Sequence, residues 1–171
     1  MKPIELRDAR DSTADREWLA NVYPFYLHDL SEFEDHYYRL NDRGLWEPDH
    51  LPSWLQDDED LPLVIIESGA RVGFALVNVA PSPHVARDRD FRLSEFFVLR
   101  RHRRRGVGRR AAWTLFERMP GRWQLSALAR NARAIRFWRG VIEECARGEY
   151  DEVASSHELL YLFEAGPRRK D

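Results

Sequence analysis

The residues with the clearest chemical potential run from Ser94 to Ala112, SEFFVLRRHRRRGVGRRAA. An aromatic and branched apolar run leads into arginines interrupted by His102, then into two glycines one residue apart, then into a helical pattern. Glycine can hold positive φ and bring the backbone against a ligand with no Cβ in the way. The N–H groups of such a turn, with the unpaired N–H groups that open the next helix, form an anion-binding concavity. Arg103, Arg104 and Arg105 add charge in the forked geometry that matches phosphate oxygens. The stretch therefore reads as strand, anion cradle and helix, with Gly106 and Gly108 both expected at positive φ. Its ligand should carry phosphate, a pyrophosphate above all.

The spacing Arg103-x-x-Gly106-x-Gly108 fits neither the dinucleotide G-x-G-x-x-G nor the mononucleotide G-x-x-x-x-G-K-[ST] signature. It resembles the [Q/R]-x-x-G-x-[G/A] segment of the GCN5-related N-acetyltransferases, the GNAT superfamily. A second segment, Asn131-x-x-Ala134-x-x-Phe137-Trp138, resembles that family's N-x-x-A-x-x-[LF]-Y. The two motifs stand in the family's order, with a helix and a strand between them, and the resemblance covers residues 61–163. The run EFFV before the basic turn looks most like diamine and polyamine acetyltransferases. The resemblance implies an α/β fold (α+β in some schemes), the GNAT fold. Its mixed central sheet has six to seven strands, with helices on both faces. It implies direct transfer of an acetyl group from acetyl-CoA, as cosubstrate, to a primary amine of a small molecule or peptide.

By the same resemblance, the pyrophosphate would lie on Arg103, Arg104, Arg105, Gly106, Val107, Gly108 and Arg109. Phe96, Phe97 and Val98 would border the pantetheine arm. The N–H groups of Phe96 and Val98 would hold its amide and polarise the thioester carbonyl, and Asn131 would contact the same arm. Trp138 stands where the family's Tyr acts as general acid. An indole N–H is a donor and not a usable acid, so Trp138 is expected as a wall beside the thioester. A thiol with a pKa of ~8.5 leaves tolerably as thiolate, and losing acid catalysis costs on the order of 10²- to 10⁴-fold. The family's G-F pair after this helix is missing, since Gly140-Val141-Ile142 fits it poorly. An ammonium acceptor must lose a proton before it attacks, and Glu95 is the candidate base, with His84 and His102 as secondary candidates. Trp138 also favours the alternative of a non-catalytic module that binds or senses acyl-CoA.

Composition narrows the classes further. A chain of 171 residues, 43% hydrophobic and 12% aromatic, suits one globular domain over residues 1–171. No run of eighteen apolar residues and no signal-peptide pattern is present, which predicts a cytoplasmic protein with no membrane partner. The single cysteine, Cys145, excludes an internal disulfide and a thiolate metal cluster, and its apolar setting predicts an inert thiol. No metal is expected. Arginine outnumbers lysine 25 to 2, as in GC-rich bacterial genomes. The net charge of −2 hides an asymmetry: residues 1–62 hold sixteen acids against six bases, whereas residues 100–110 hold seven arginines and no acid. A nucleic-acid partner is not expected for a chain so balanced, and an acidic N-terminal part attracts a cationic acceptor. The oligomeric state is left open, a homodimer among the options.

The elements that must position these groups follow from periodicity and turn residues. A short strand at residues 4–7 precedes a helix capped by Ser12 or Thr13. Pro24 predicts a break near Tyr23 and a second helix over residues 25–40. Residues 41–60, with the acidic run 57–60, read as a long loop bordering the acceptor site, so that the N-terminal part to residue 60 forms its side. Residues 61–67 and 71–79 are a hairpin around Ser68-Gly69, apolar on both faces, and residues 91–99 form the next strand. A helix over residues 107–119 ends at Pro120-Gly121. A strand follows at 123–128, then a helix capped by Asn131. A closing antiparallel pair spans 150–155 and 157–163, and residues 166–171 are a polar tail.

Overall fold

The structure is a computed structural model and describes residues 2–34, 36–56 and 58–167. In chain order the elements are β1 (Ile4–Asp8), α1 (Thr13–Leu30), β2 (Arg39–Leu40), β3 (Trp46–Glu47), α2 (Leu51–Gln56), β4 (Leu61–Glu67), β5 (Ala70–Val79), β6 (Phe91–Val98), α3 (Val107–Arg118), β7 (Gly121–Leu128), α4 (Ala132–Cys145), β8 (Asp151–Ala154) and β9 (Glu158–Ala165). Seven strands form one mixed sheet in the order β1-β4-β5-β6-β7-β9-β8, and β2 and β3 form a separate hairpin. All pairs are antiparallel except β6 with β7.

The sheet is covered on both sides because its central strands are apolar on both faces. In β4, Val64 and Ile66 pack with α1 and α2, whereas Leu63 and Ile65 pack with α3 and α4. β5 and β6 divide likewise, with Phe74, Leu76 and Phe97 on the first face and Ala75, Val77 and Val98 on the second. In α4, Trp138, Val141 and Ile142 are buried at helical spacing, and Asn131 caps the helix by accepting from the Ala134 N–H at 3.0 Å.

Two expectations for the N-terminal part are corrected. Pro24 does not split the first helix: α1 runs unbroken to Leu30, and the second helix expected over residues 25–40 is absent. The missing proline N–H costs a helical bond, but Leu19, Val22, Tyr23 and Leu27 form one buried stripe that passes straight through the proline. The long loop over residues 41–60 is also structured. Asn41 closes the β2–β3 turn, its Oδ1 accepting from the N–H groups of Arg43 and Leu45, each at 3.0 Å. Asp49 opens α2 by accepting from Leu51 N–H at 3.0 Å, and Leu51 and Trp54 are buried one helical turn apart. Asp57 of the acidic run lies outside the described residues, as do residues 168–171 of the expected tail.

The join between β5 and β6 is irregular where it matters for function. Leu76 pairs with Glu95, but the next residue, Val77, pairs with Leu93, so Ser94 is an extra residue on β6. The Ser94 hydroxyl donates to Asn78 Oδ1 at 2.5 Å, Asn78 Nδ2 donates to Asp60 Oδ2 at 2.5 Å, and Val79 N–H donates to Asp60 Oδ1 at 3.0 Å. This buried polar chain pins the bulge to the residue that precedes β4.

Asp15, in the first turn of α1, is 1% exposed and holds Arg7 of β1 at 2.9 Å and Arg71 of β5 at 2.5 Å. Asp15→Ala should lower the unfolding free energy by about 2–3 kcal/mol, less than the ~3–5 kcal/mol of a fully buried pair because both guanidinium groups can turn to water. Urea denaturation of the two proteins measures it, and an unchanged midpoint would contradict the anchoring role.

Candidate active site

The parallel ladder between β6 and β7 is three residue pairs long, ending at Leu93 with Leu125, although β7 continues to Leu128 along β9. Past the bulge the two strands part. Leu99 N–H donates to Val72 O at 2.9 Å, and the β5 register places Phe97 and Glu95 in phase with that bond. Antiparallel strands alternate bonded and non-bonded positions. Phe96 and Val98 therefore turn their N–H and C=O groups away from β5, toward the opening. Gly73 permits this close pairing, since a Cβ there would lie 2.1 Å from the Phe97 carbonyl oxygen.

The end of β6 runs through a short 3-10 turn, Arg100–His102, into the cradle. Gly106 caps α3 at φ 73°, and Arg104 also lies at positive φ, 59°. Gly108 does not, which corrects the expectation for that residue: it sits inside the first turn of α3, where a Cβ would touch the Phe137 ring at 3.4 Å and the Phe96 ring at 3.7 Å. The first helical bond of α3 runs from Arg110 N–H to Gly106 O, so the N–H groups of Val107, Gly108 and Arg109 have no intrahelical acceptor.

The arginines divide into struts and free cations. Arg103 donates from Nε to Val98 O at 2.6 Å and from Nη2 to Asp29 at 2.6 Å, and lies over the Phe97 ring. Arg100 reaches the other oxygen of Asp29, also at 2.6 Å. Burial alone would raise the Asp29 pKa, and the two guanidinium groups hold it below the usual value instead. Arg109 pairs with Glu144 and stacks on Trp113, and Arg110 pairs with Glu67. Arg104 and Arg105 are exposed and have no side-chain partner among the described residues.

Glu95 lies on the face of β6 that looks toward α1. Its Oε1 accepts from the Tyr23 hydroxyl at 3.0 Å, while its Oε2 is buried with no hydrogen-bond partner among the described residues. Burial is the main cause that raises its pKa, from the usual 4.5 to about 7; the Tyr23 bond opposes the rise and the charge of Asp49 adds to it. Tyr23, Tyr26 and Tyr38 are all held well above the usual phenol value, first by burial and then by Glu95. None of Tyr23, Tyr26, Tyr38, Asp49 or Asp29 carries a motif that would single it out in the sequence; the acidic, aromatic composition of the N-terminal part is the only trace.

The remaining candidates are placed as follows. His84 stands on the exposed loop after β5, its carbonyl accepting from Arg92 at 3.2 Å. His102 accepts from Arg101 Nε at 2.9 Å, and burial with Arg101 lowers its pKa. Trp138 is 6% exposed and packs edge-on against Phe96, ring centroids 5.1 Å apart, and against Phe137 at 4.8 Å. It lines the side of β6 opposite Glu95. The Cys145 thiol is pushed up to about 12 by burial, in keeping with an inert thiol. Among the described residues no cluster of His, Cys, Asp and Glu is placed to hold a metal ion, and no helix is long and apolar enough to cross a membrane.

A mixed sheet that opens at its one parallel joint, with a helix N-terminus facing the gap, defines a fold that is shared with known acyltransferases. An acetyltransferase of the GNAT family from Listeria monocytogenes superposes with a TM-score of 0.62 at 14% identity, covering 94% of each chain. YncA of Salmonella typhimurium, solved with acetyl-CoA, gives 0.57 at 16% identity over 93% of this chain and 91% of its own. The ribosomal-protein-S18-alanine N-acetyltransferase of Escherichia coli gives 0.55 at 13% identity over 99% and 98%. At these identities the likeness is one of fold. No curated protein matches the sequence. The model of the acetyltransferase (GNAT) family matches residues 20–141, and the chain belongs to that family.

The raised Glu95 pKa has a consequence for stability. The folded carboxyl keeps its proton up to about pH 7 whereas the unfolded one releases it near 4.5, so stability is full below 4.5 and is lost as pH rises to 7. Glu95→Gln should therefore gain stability over the wild type across that window and differ little at pH 4. Paired urea midpoints from pH 4 to 8 check this, and parallel curves would show that Glu95 is not held in its neutral form.

Proposed function

We propose that the protein is an acetyl-CoA-dependent N-acetyltransferase acting on a primary amine of a small molecule or peptide. The observation that carries this reading is the end of β6. Within four residues it presents Glu95 to one face of the sheet and the N–H groups of Phe96 and Val98 to the opening. The cradle then follows directly along the chain. Val98 and Phe96 suit the amide groups of a pantetheine arm, and the free N–H groups of α3 with Arg104 and Arg105 suit its pyrophosphate. Arg103 belongs to the cradle as the strut that holds it to β6, and Arg109 as a charge on its rim. Asn131 spends its Oδ1 on the helix cap and keeps its amide N–H for a ligand.

Acetyl-CoA supplies an acyl carbon already activated by a thioester and a thiol as leaving group. Glu95, with a pKa of about 7, is matched to taking the proton of an ammonium acceptor directly or through one water. The freed lone pair then forms the C–N bond as the C–S bond breaks; CoA leaves as the thiolate, and the remaining extra proton on nitrogen passes to water. Donation from Phe96 and Val98 N–H groups favours charge developing on the carbonyl oxygen. The acceptor side, with Asp49 and the rings of Tyr26 and Tyr38 near Glu95, suits a cation. A module that only binds acyl-CoA is the second reading, and Trp138 in place of an acid is what favours it. Mass spectrometry of a primary-amine and peptide panel incubated with acetyl-CoA separates the two: one added acetyl group supports transfer, and CoA binding without product supports the module.

Arg104→Ala with Arg105→Ala should weaken CoA binding about tenfold or more, at charge-assisted bonds of ~1.5–3 kcal/mol each. The fold should be unchanged, because neither side chain has a partner among the described residues. Calorimetry that gave equal affinities would remove the pyrophosphate assignment.

Trp138 should act as a wall. Trp138→Phe keeps an aromatic ring against Phe96 and should keep most turnover, whereas Trp138→Ala opens the core and should cost ~3–5 kcal/mol of stability as well as rate. Trp138→Tyr should raise turnover if its hydroxyl reaches the leaving sulfur. Loss of transfer in a folded Trp138→Phe protein that still binds CoA would mean that the indole N–H makes a bond the reaction needs.

A further inference from the structure

Tyr23 stands 72 residues from Glu95 in the chain and makes the only hydrogen bond found on that carboxyl among the described residues, at 3.0 Å. Its ring is ordinary core, 2% exposed and tilted against Phe74 and Tyr26. Its hydroxyl is not, because a buried phenol O–H needs an acceptor and Glu95 Oε1 is the one it has. The helix that carries it is tied at both ends. Asp15 fastens the first turn of α1 to Arg7 and Arg71, and Asp29 fastens the last turn to Arg100 and Arg103 of the cradle. The position of the Tyr23 oxygen is thus set by the same struts that set the turn from Arg100 to Gly106.

We propose, on the reading of Glu95 as the base, that Tyr23 is a positioning residue of the transfer reaction: its bond to Oε1 fixes the carboxyl and leaves Oε2 as the oxygen that takes the acceptor's proton. A buried oxygen with no donor costs stability, and the N–H of a bound amine or one bridging water supplies the missing bond. With Oε1 held by Tyr23, Oε2 has no donor among the described residues.

The titratable groups acting on Glu95 are Tyr23 and Tyr26 from α1, Tyr38 from the segment before β2 and Asp49 from the start of α2, while its β5 neighbour is the apolar Leu76. Burial and Asp49 both favour the protonated carboxyl; the Tyr23 bond is the one contribution that favours the anion. Removing the hydroxyl must therefore raise the Glu95 pKa beyond its already raised value.

The test titrates the Glu95 carboxyl by ¹³C NMR in selectively labelled protein, a readout that needs no activity, with Glu95→Gln used to assign the resonance. In Tyr23→Phe, which keeps the ring and its packing, the titration should move upward by about half to one unit. With 3-fluorotyrosine at position 23, a stronger donor, it should move downward. The acid limb of kcat/KM for the best acceptor of the amine panel should shift in step, with CoA affinity constant. An unmoved carboxyl titration in Tyr23→Phe overturns the proposal, as does an unmoved acid limb when Glu95→Gln abolishes that limb. If Glu95→Gln itself keeps the limb, the reading of Glu95 as base is what fails.

Discussion

One extra residue on one strand governs the working end of this molecule. The parallel ladder of β6 with β7 stops at Leu93 and Leu125, beside the extra residue Ser94, and beyond it the N–H groups of Phe96 and Val98 face away from β5. A bulge bends its strand and raises the local twist, and here it turns a sheet interior into an edge that faces a gap. Buried polar backbone groups left without partners are costly, and the bulge beside the opening is held in place by hydrogen bonds through Ser94, Asn78 and Asp60. Each of those three side chains satisfies the next, and the last also takes the Val79 N–H. The polar chain thus runs from β6 across β5 to the residue that precedes β4.

The arginine run after β6 shows how the same residue type does two jobs in one turn. Arg100 and Arg103 share the carboxylate of Asp29, and Arg103 also holds the last carbonyl of β6. Arg110 reaches back to Glu67 and to the carbonyl of Arg105. These contacts enclose the turn from three sides and over-determine it, which is the condition under which a non-glycine residue such as Arg104 persists at positive φ. Charge that is already paired contributes little to an incoming anion. The attraction is left to Arg104, Arg105 and the N–H groups of α3, while the paired arginines give those groups a fixed place.

What the sequence could disclose follows from how local each determinant is. The strand, turn and helix from Ser94 to Ala112 were legible because periodicity, glycines and charge all lie within one short window. The Asn131 cap and the inward face of α4 were legible for the same reason. Gly108 was misread because its value lies in the close passage of Phe137 and Phe96, a tertiary fact, and not in its own φ. Pro24 was misread because a local penalty was weighed without the buried stripe that overrides it. Tyr23 and Asp29 carried no local signal. Each is an unremarkable helix residue whose partner, Glu95 or Arg103, lies more than seventy positions away.

The sheet itself separates the two halves of the proposed chemistry. Successive residues of β6 point to opposite faces, so Glu95 joins Tyr23 and the N-terminal helices while Phe96 joins Trp138 and Phe137 beyond the sheet. In the proposed transfer, an acceptor that approached past Asp49, Tyr26 and Tyr38 would meet the carboxyl before the opening. That order suits the reaction, because a carboxylate in water is too weak a base to take a proton from an ammonium group at neutral pH. Burial narrows the gap between the two pKa values, and in the proposed mechanism the open oxygen Oε2 would take the proton that must leave before attack. On the proposed reading, the aromatic, acidic N-terminal part has a further role: by burying Glu95 it sets the basicity on which the transfer depends.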